Sequence, residues 1–171
     1  MSIVLIGYRG SGKTTVGKRL ADRLWQPFVD VDDLIVAKAG KSIREIFEQK
    51  GEPAFRTIEA QVVKEIAKLS DHVIGLGGGT LGREENRKEI KDAGHKVIYL
   101  KCDPATLHKR ISADPQSAVT RPNLTELGGG IEEITQMLAQ REPLYRAAMT
   151  AELDVSHLTP EDAVVYIVRL L

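Results

Sequence analysis

Ile3-Val4-Leu5-Ile6-Gly7-Tyr8-Arg9-Gly10-Ser11-Gly12-Lys13-Thr14 decides how the rest of the chain is read. Four consecutive aliphatic residues suit a parallel strand buried on both faces. Gly7–Thr14 then completes the pattern G-x-x-x-x-G-K-[ST]. Val16, Leu20 and Leu24 follow at spacings of four, so the periodicity predicts a helix over 13–24. Between strand and helix, Gly10 and Gly12 can take backbone angles that a Cβ forbids, turning successive N–H groups toward one anion. The helix adds its positive end at the same point. Lys13 is placed to reach the β- and γ-phosphates, and the Thr14 hydroxyl to ligate Mg²⁺. The expectation is a nucleoside triphosphate site. The chain carries no Asn-Lys-x-Asp for reading guanine and no Asp-x-x-Gly switch, which favours an ATP-using phosphotransferase over a GTPase.

Composition narrows the field further. The chain has 171 residues, 42% hydrophobic and 28% charged, the profile of an ordinary globular protein of one domain, 1–171. Lys plus Arg and Asp plus Glu both number 24, which removes the electrostatic basis for a general nucleic-acid or membrane-surface binder. A single cysteine, Cys102, excludes an intramolecular disulfide and fits a reducing compartment. His72, His95, His108 and His157 are scattered with no cysteine cluster beside them, so no zinc site is legible. The longest strictly apolar run, 163–168, has six residues, far short of a membrane span, and 3–6 is too short for a signal-peptide core. These features predict a cytoplasmic protein without nucleic-acid or membrane partners.

Short β-rich runs alternate with helical ones along the whole chain. Strands are expected at 3–6, 28–30, 72–76, 97–100 and 151–155, and helices at 13–24, 83–93, 104–111, 131–149 and from 160 onward. Ser42-Ile43-Arg44-Glu45 fits a capping box that opens a helix ending near Gly51, and Pro53 suits the first turn of the next, to about 69. Pro143 interrupts the helix at 131–149, and 112–130, with its prolines and glycines, reads as a mobile loop. The alternation argues for an α/β layered fold with a mainly parallel sheet, whose ligands sit at the carboxyl ends of the strands.

Three further stretches carry candidate site residues. In Phe28-Val29-Asp30-Val31-Asp32-Asp33, residues two apart on an extended chain project to the same side, so Asp30 and Asp32 point together. Their repulsion is tolerable beside a cation. Asp30 then serves the Mg²⁺ and Asp32 faces an acceptor hydroxyl. The competing reading makes both acids helix-capping or first-turn residues, and Asp33 fits that reading best. Arg56 stands early in its helix, where the macrodipole disfavours a cation, and Glu59, three residues on, can neutralise and orient it for a substrate carboxylate or phosphate. Gly77-Gly78-Gly79 exceeds what one turn needs and permits close approach by a small ligand. Cys102 reads as a small core residue and Trp25 as a side chain packed under the first helix.

Together with Arg121-Pro122 and Arg141-x-Pro143-Leu144-Tyr145, these motifs occur in an order that resembles the shikimate kinases over almost the whole chain. The resemblance implies a three-layer, nucleoside-monophosphate-kinase-like P-loop fold, with a five-stranded parallel sheet in order 2-3-1-4-5, helices on both faces and a lid at about 112–130. It implies transfer of the ATP γ-phosphate to the 3-hydroxyl of shikimate, a step toward chorismate and aromatic amino acids. Carried over by position, Gly10, Ser11, Gly12, Lys13, Thr14 and Thr15 bind the ATP phosphates, and Thr14 and Asp30 serve Mg²⁺. Asp32, Arg56, Gly78 and Arg141 hold shikimate, Asp32 being the candidate base. Arg121 belongs to the lid over ATP, and Arg110 is an adenine-side contact; Lys13, Asp32 and Arg121 form the catalytic set. The family resemblance also suggests a monomer.

Two positions depart from the family pattern: Leu76 stands where relatives often carry a hydroxyl residue, and Ser156-His157-Leu158-Thr159-Pro160 lacks the basic or amide side chain that some place near adenine. The rival expectations are another small-molecule kinase of gluconate or nucleotide type and a catalytically silent nucleotide-binding relative.

Overall fold

Every residue of the strand Ile3–Ile6 (β1) is buried. Since successive side chains on a strand point to opposite sides, both faces of the sheet at β1 must be covered. A computed structural model of the chain describes residues 1–115 and 128–171. β1 is the middle of a five-stranded parallel sheet in order β2-β3-β1-β4-β5, with β2 at Phe28–Asp30, β3 at Val73–Gly75, β4 at Lys96–Lys101 and β5 at Ala151–Asp154. Val4 pairs with Ile74 on one side and with Val97 on the other. This is the sheet order that the sequence resemblance implies.

Seven α-helices accompany the described strands: α1 (Lys13–Leu24), α2 (Val31–Ala39), α3 (Ile43–Ile66), α4 (Glu84–Asp92), α5 (Pro104–Ala113), α6 (Ile131–Ala148) and α7 (Pro160–Leu170). Their ends follow the local chemistry of the chain. Ser42 Oγ accepts from the Glu45 N–H at 3.1 Å, the expected N-cap of α3. Asp103 and Thr159 cap α5 and α7 in the same way, each followed by a proline in the first turn. α3 is interrupted at Gly51 (φ 80°, ψ 173°), so its two halves are the two helices expected before and after that glycine. Pro143 lies within α6 without ending it.

α1 packs against α7, while α3 contacts α2 and α4, and α5 contacts α6. Val4, Leu5, Leu20, Ile35, Val63, Ile98 and Leu107 are wholly buried between these layers. Each such side chain contributes roughly 1.5–3 kcal/mol relative to exposure. Cys102 is buried, as expected of a core residue.

Two local expectations are corrected. Trp25 is 95% exposed, so it does not pack under α1. It occupies the left-handed C-cap of that helix (φ 55°), with its N–H turned back to the Ala21 and Asp22 carbonyls, and that conformation carries the ring outward. Asp32 is not on an extended strand either. β2 ends at Asp30, whose carboxylate accepts from the Asp32 N–H at 2.9 Å and starts α2. Arg121 and most of the expected lid at 112–130 lie outside the described residues.

Candidate active site

The end of β1 and the start of α1 meet in a tight turn. Ser11 N–H donates to the Tyr8 carbonyl at 3.1 Å, and Val16 N–H closes the first turn of α1 on Gly12 at 2.8 Å. Gly10 and Gly12 both have positive φ (85° and 95°), an arrangement costly for any residue with a Cβ. Lys13 Nζ lies along the same turn, donating to the Gly7 and Tyr8 carbonyls at 2.7 and 2.9 Å.

This loop forms one wall of a cleft of about 440 Å³. Gly10, Ser11, Gly12, Lys13, Thr14 and Thr15 all line it, together with Asp30, Asp32, Gly77 and Gly78. At its other end stand Arg110, Val155, Leu158 and Pro160, a mostly apolar rim with one guanidinium. Arg110 is fixed there by Val155, whose carbonyl accepts from Nη2 at 2.9 Å.

Thr14 Oγ1 donates to Asp30 Oδ2 at 2.9 Å, while Asp30 Oδ1 holds the start of α2. A hydroxyl and a carboxylate side by side, both hard oxygen donors next to a phosphate-binding loop, suit Mg²⁺ held partly by phosphate. No cluster of three or more His, Cys, Asp or Glu residues stands ready for a metal among the described residues. Mg²⁺ requires none, since one or two protein carboxylates plus phosphate oxygens commonly hold it. The first-turn reading of Asp30 and Asp32 is thus the correct local geometry, and it still places both acids in the cleft. Asp33, in the same turn, has its carboxyl raised by burial and then by the neighbouring Asp30 charge, against Lys18.

A second cluster gathers where β3 ends. A Cβ on Gly79 would stand 2.7 Å from Arg56 Nη2 and 3.1 Å from Arg141 Nη2, and one on Gly78 would stand 3.1 Å from Arg141 Nη1. Two guanidinium groups from α3 and α6 therefore converge on the triple-glycine backbone, which explains why side chains are absent there. Gly77 faces Asp32 Oδ1 and Glu59 Oε2 in the same way. Arg56 is paired with Glu59 at 2.9 Å, as the spacing predicts. Glu59 is almost wholly buried, so the pair is no surface ion pair. Arg141 also lies over the Tyr8 ring, 5.5 Å from its centroid. Burial raises the Tyr8 phenol above its ordinary value, with Arg141 opposing, so Tyr8 presents a neutral ring to that cation at physiological pH.

Sequence reasoning named Tyr145 only within a motif, without its partner, and missed Thr80 and Asn86. Tyr145 donates its hydroxyl to the Gly78 carbonyl at 2.5 Å. Thr80 donates to Glu59 at 2.8 Å, and Asn86 Nδ2 donates to the Thr80 carbonyl at 2.9 Å. Their partners lie 67, 21 and 6 residues away, and no periodicity marks such pairs.

A glycine-rich loop ahead of a helix, a hydroxyl–carboxylate pair beside it and two guanidinium groups gathered at the end of a neighbouring parallel strand form the arrangement of a P-loop kinase. A family model described as shikimate kinase matches residues 9–171. The shikimate kinase of Rhodopirellula baltica is 40% identical over 98% of this chain and 88% of its own length, and that of Thermobifida fusca 39% over 98% and 93%. Among solved structures, a shikimate kinase from Acinetobacter baumannii in complex with shikimate superposes with a TM-score of 0.91 at 32% identity, covering 99% of this chain and 91% of the other. One from Aquifex aeolicus gives 0.79 at 31% identity, over 99% and 95%. The chain belongs to the shikimate kinase family, and with it to the ATP-dependent phosphotransferases.

Proposed function

We propose that this protein transfers the γ-phosphoryl group of ATP to the 3-hydroxyl of shikimate, giving shikimate 3-phosphate and ADP. The observation that carries the reading is the convergence of Arg56 and Arg141 on Gly78–Gly79 beside the phosphate loop. Two guanidinium forks separated from a phosphate site by one short strand end suit an acceptor with a single carboxylate.

Phosphoryl transfer is chiefly positioning and charge stabilisation, and the residues divide that work by location. Gly10–Thr15 hold the phosphates through backbone N–H groups and the α1 terminus. Lys13 supplies the cation at the β- and γ-phosphates, and the Arg110 rim takes the adenine side. Thr14 and Asp30 hold Mg²⁺, which when bound neutralises the phosphate charge that develops during transfer. Asp32 faces the acceptor hydroxyl, orienting it and receiving its proton; the Gly78 backbone and the two arginines grip the rest of the acceptor. No described helix is long and apolar enough to cross a membrane, and the lone buried thiol fits a reducing compartment. The reading includes a cytoplasmic location and, from the family resemblance, a monomer acting on small molecules.

The direct test is ADP release from ATP and Mg²⁺ with and without shikimate, using gluconate and AMP as controls. Stimulation by shikimate alone is the expected result. Stimulation by gluconate or AMP instead would keep the kinase and overturn the acceptor assignment. ATP binding with no stimulation at all would leave a silent nucleotide-binding relative.

A further inference from the structure

Thr80 is fully buried, and its hydroxyl donates to Glu59 Oε2 at 2.8 Å. The other oxygen of that carboxylate accepts from Arg56 Nη1 at 2.9 Å. A buried carboxylate is stable only when its oxygens are hydrogen-bonded, so Glu59 is shared between one neutral donor and one cationic donor. The Gly77 α-carbon marks why the neutral donor matters. A Cβ there would lie 2.9 Å from Thr80 Oγ1, 3.3 Å from Asp32 Oδ1 and 3.4 Å from Glu59 Oε2. Two carboxylates therefore flank one glycine, and the Thr80 proton is directed to the Glu59 oxygen on that side.

The position of Thr80 is itself fixed. It begins a short 3₁₀ turn, Thr80–Gly82, directly after the triple glycine. Its carbonyl accepts from Asn86 Nδ2 at 2.9 Å, and Asn86 is buried as well. The polar chain thus runs from Asn86 through the Thr80 backbone and hydroxyl to Glu59, and from Glu59 to Arg56. Arg56 also has a looser contact with the exposed Glu52 at 3.4 Å. Without the hydroxyl, Glu59 would lose the donor that sets its angle, and Arg56 could follow Glu52 away from Gly79.

We propose that Thr80 is a positioning residue, acting through Glu59 to hold the Arg56 guanidinium over Gly79 where the acceptor's carboxylate binds. The assignment of that carboxylate rests on the function proposed above; the holding of Arg56 does not. Thr80→Val keeps the shape and removes the hydroxyl, and Thr80→Ser keeps the hydroxyl and removes the methyl.

Steady-state kinetics of the full chain with ATP, Mg²⁺ and shikimate should show the shikimate KM raised about tenfold in Thr80→Val, the scale of one hydrogen bond to a charged group. The ATP KM should stay within about twofold, and Thr80→Ser should restore the shikimate KM. In the ¹⁵N-labelled protein without ligands, the Arg56 Nη1–H resonance, from the nitrogen that donates to Glu59, should be exchange-protected in the parent and in Thr80→Ser, and broadened in Thr80→Val. An unchanged shikimate KM in Thr80→Val, or an equal rise in both KM values, overturns the proposal. If the parent does not phosphorylate shikimate, the function reading falls, and the Arg56 resonance alone decides the role of Thr80: protection that survives in Thr80→Val refutes it.

Discussion

The hydrogen bond from Thr14 Oγ1 to Asp30 Oδ2, at 2.9 Å, joins the first turn of α1 to the last residue of β2. Asp30 also caps α2 with its other oxygen, so one carboxylate serves two elements and the proposed metal site. These roles can be separated. Asp30→Asn keeps an N-cap acceptor, so unfolding stability should change by less than about 0.5 kcal/mol, whereas loss of the charge should raise the Mg²⁺ concentration needed for half-maximal rate. Asp30→Ala should in addition cost about 1 kcal/mol of stability through the lost cap. Urea unfolding and a Mg²⁺ titration of the rate measure the two effects; an unchanged Mg²⁺ requirement in Asp30→Asn would remove that residue from the metal site.

Gly79 has φ −103°, a conformation open to any residue, so alanine there meets no backbone penalty. Its added Cβ would instead press on Arg56 Nη2, 2.7 Å away. Gly79→Ala should therefore leave the melting temperature almost unchanged and raise the shikimate KM, with the ATP KM unaffected. Differential scanning fluorimetry beside steady-state kinetics checks it. A large fall in melting temperature with normal kinetics would show that the close approach serves folding alone.

Removing Arg56 strands the buried Glu59 carboxylate as well as emptying the proposed acceptor grip. Arg56→Ala should weaken shikimate recognition by roughly 2–5 kcal/mol, the scale for leaving a charged partner unpaired. It should also lower stability measurably, unlike Gly79→Ala. If only the ATP KM moved, Arg56 would belong to the other half of the site.

His95 gives the fold a pH dependence remote from catalysis. It is buried, and its Nδ1 accepts from the Ser2 N–H at 3.4 Å, so that nitrogen carries no proton. Burial, with the N-terminal charge adding to it, lowers its pKa below the ordinary 6.5. The unfolded chain thus binds more protons than the folded one between the folded value and 6.5. Stability from this group rises with pH through that window, is fully present above it, and is lost as pH falls. Urea midpoints measured from pH 7.5 down to 5 should decline less steeply in His95→Gln than in the parent. Parallel slopes would show that other groups govern the acid limb.

Much of this architecture is legible along the chain because it depends on local chemistry. Val16, Leu20 and Leu24 mark α1 by their spacing, Ser42 and Glu45 mark the start of α3, and Gly10 and Gly12 mark the turn that only small residues can make. The Arg56–Glu59 pair is readable for the same reason, since residues three apart on a helix are neighbours. The family resemblance then supplied the sheet order, which local pattern cannot.

The errors and omissions share one cause. Asp30 and Asp32 look like alternating strand residues until the Asp30 side chain captures the Asp32 N–H and starts a helix. Trp25 looks like core until a left-handed cap turns it outward. The sequence alone therefore determined which elements form and that a phosphate loop opens the fold, because hydrogen bonds within a few residues and hydrophobic periodicity decide those. The family resemblance gathered Asp32, Arg56, Gly78 and Arg141 at one acceptor, and only the tertiary structure decided that Thr80 and the buried Glu59 join them around three glycines. That meeting depends on how helices α2, α3 and α6 pack beside the end of β3, and contacts across such distances in sequence leave no local signal.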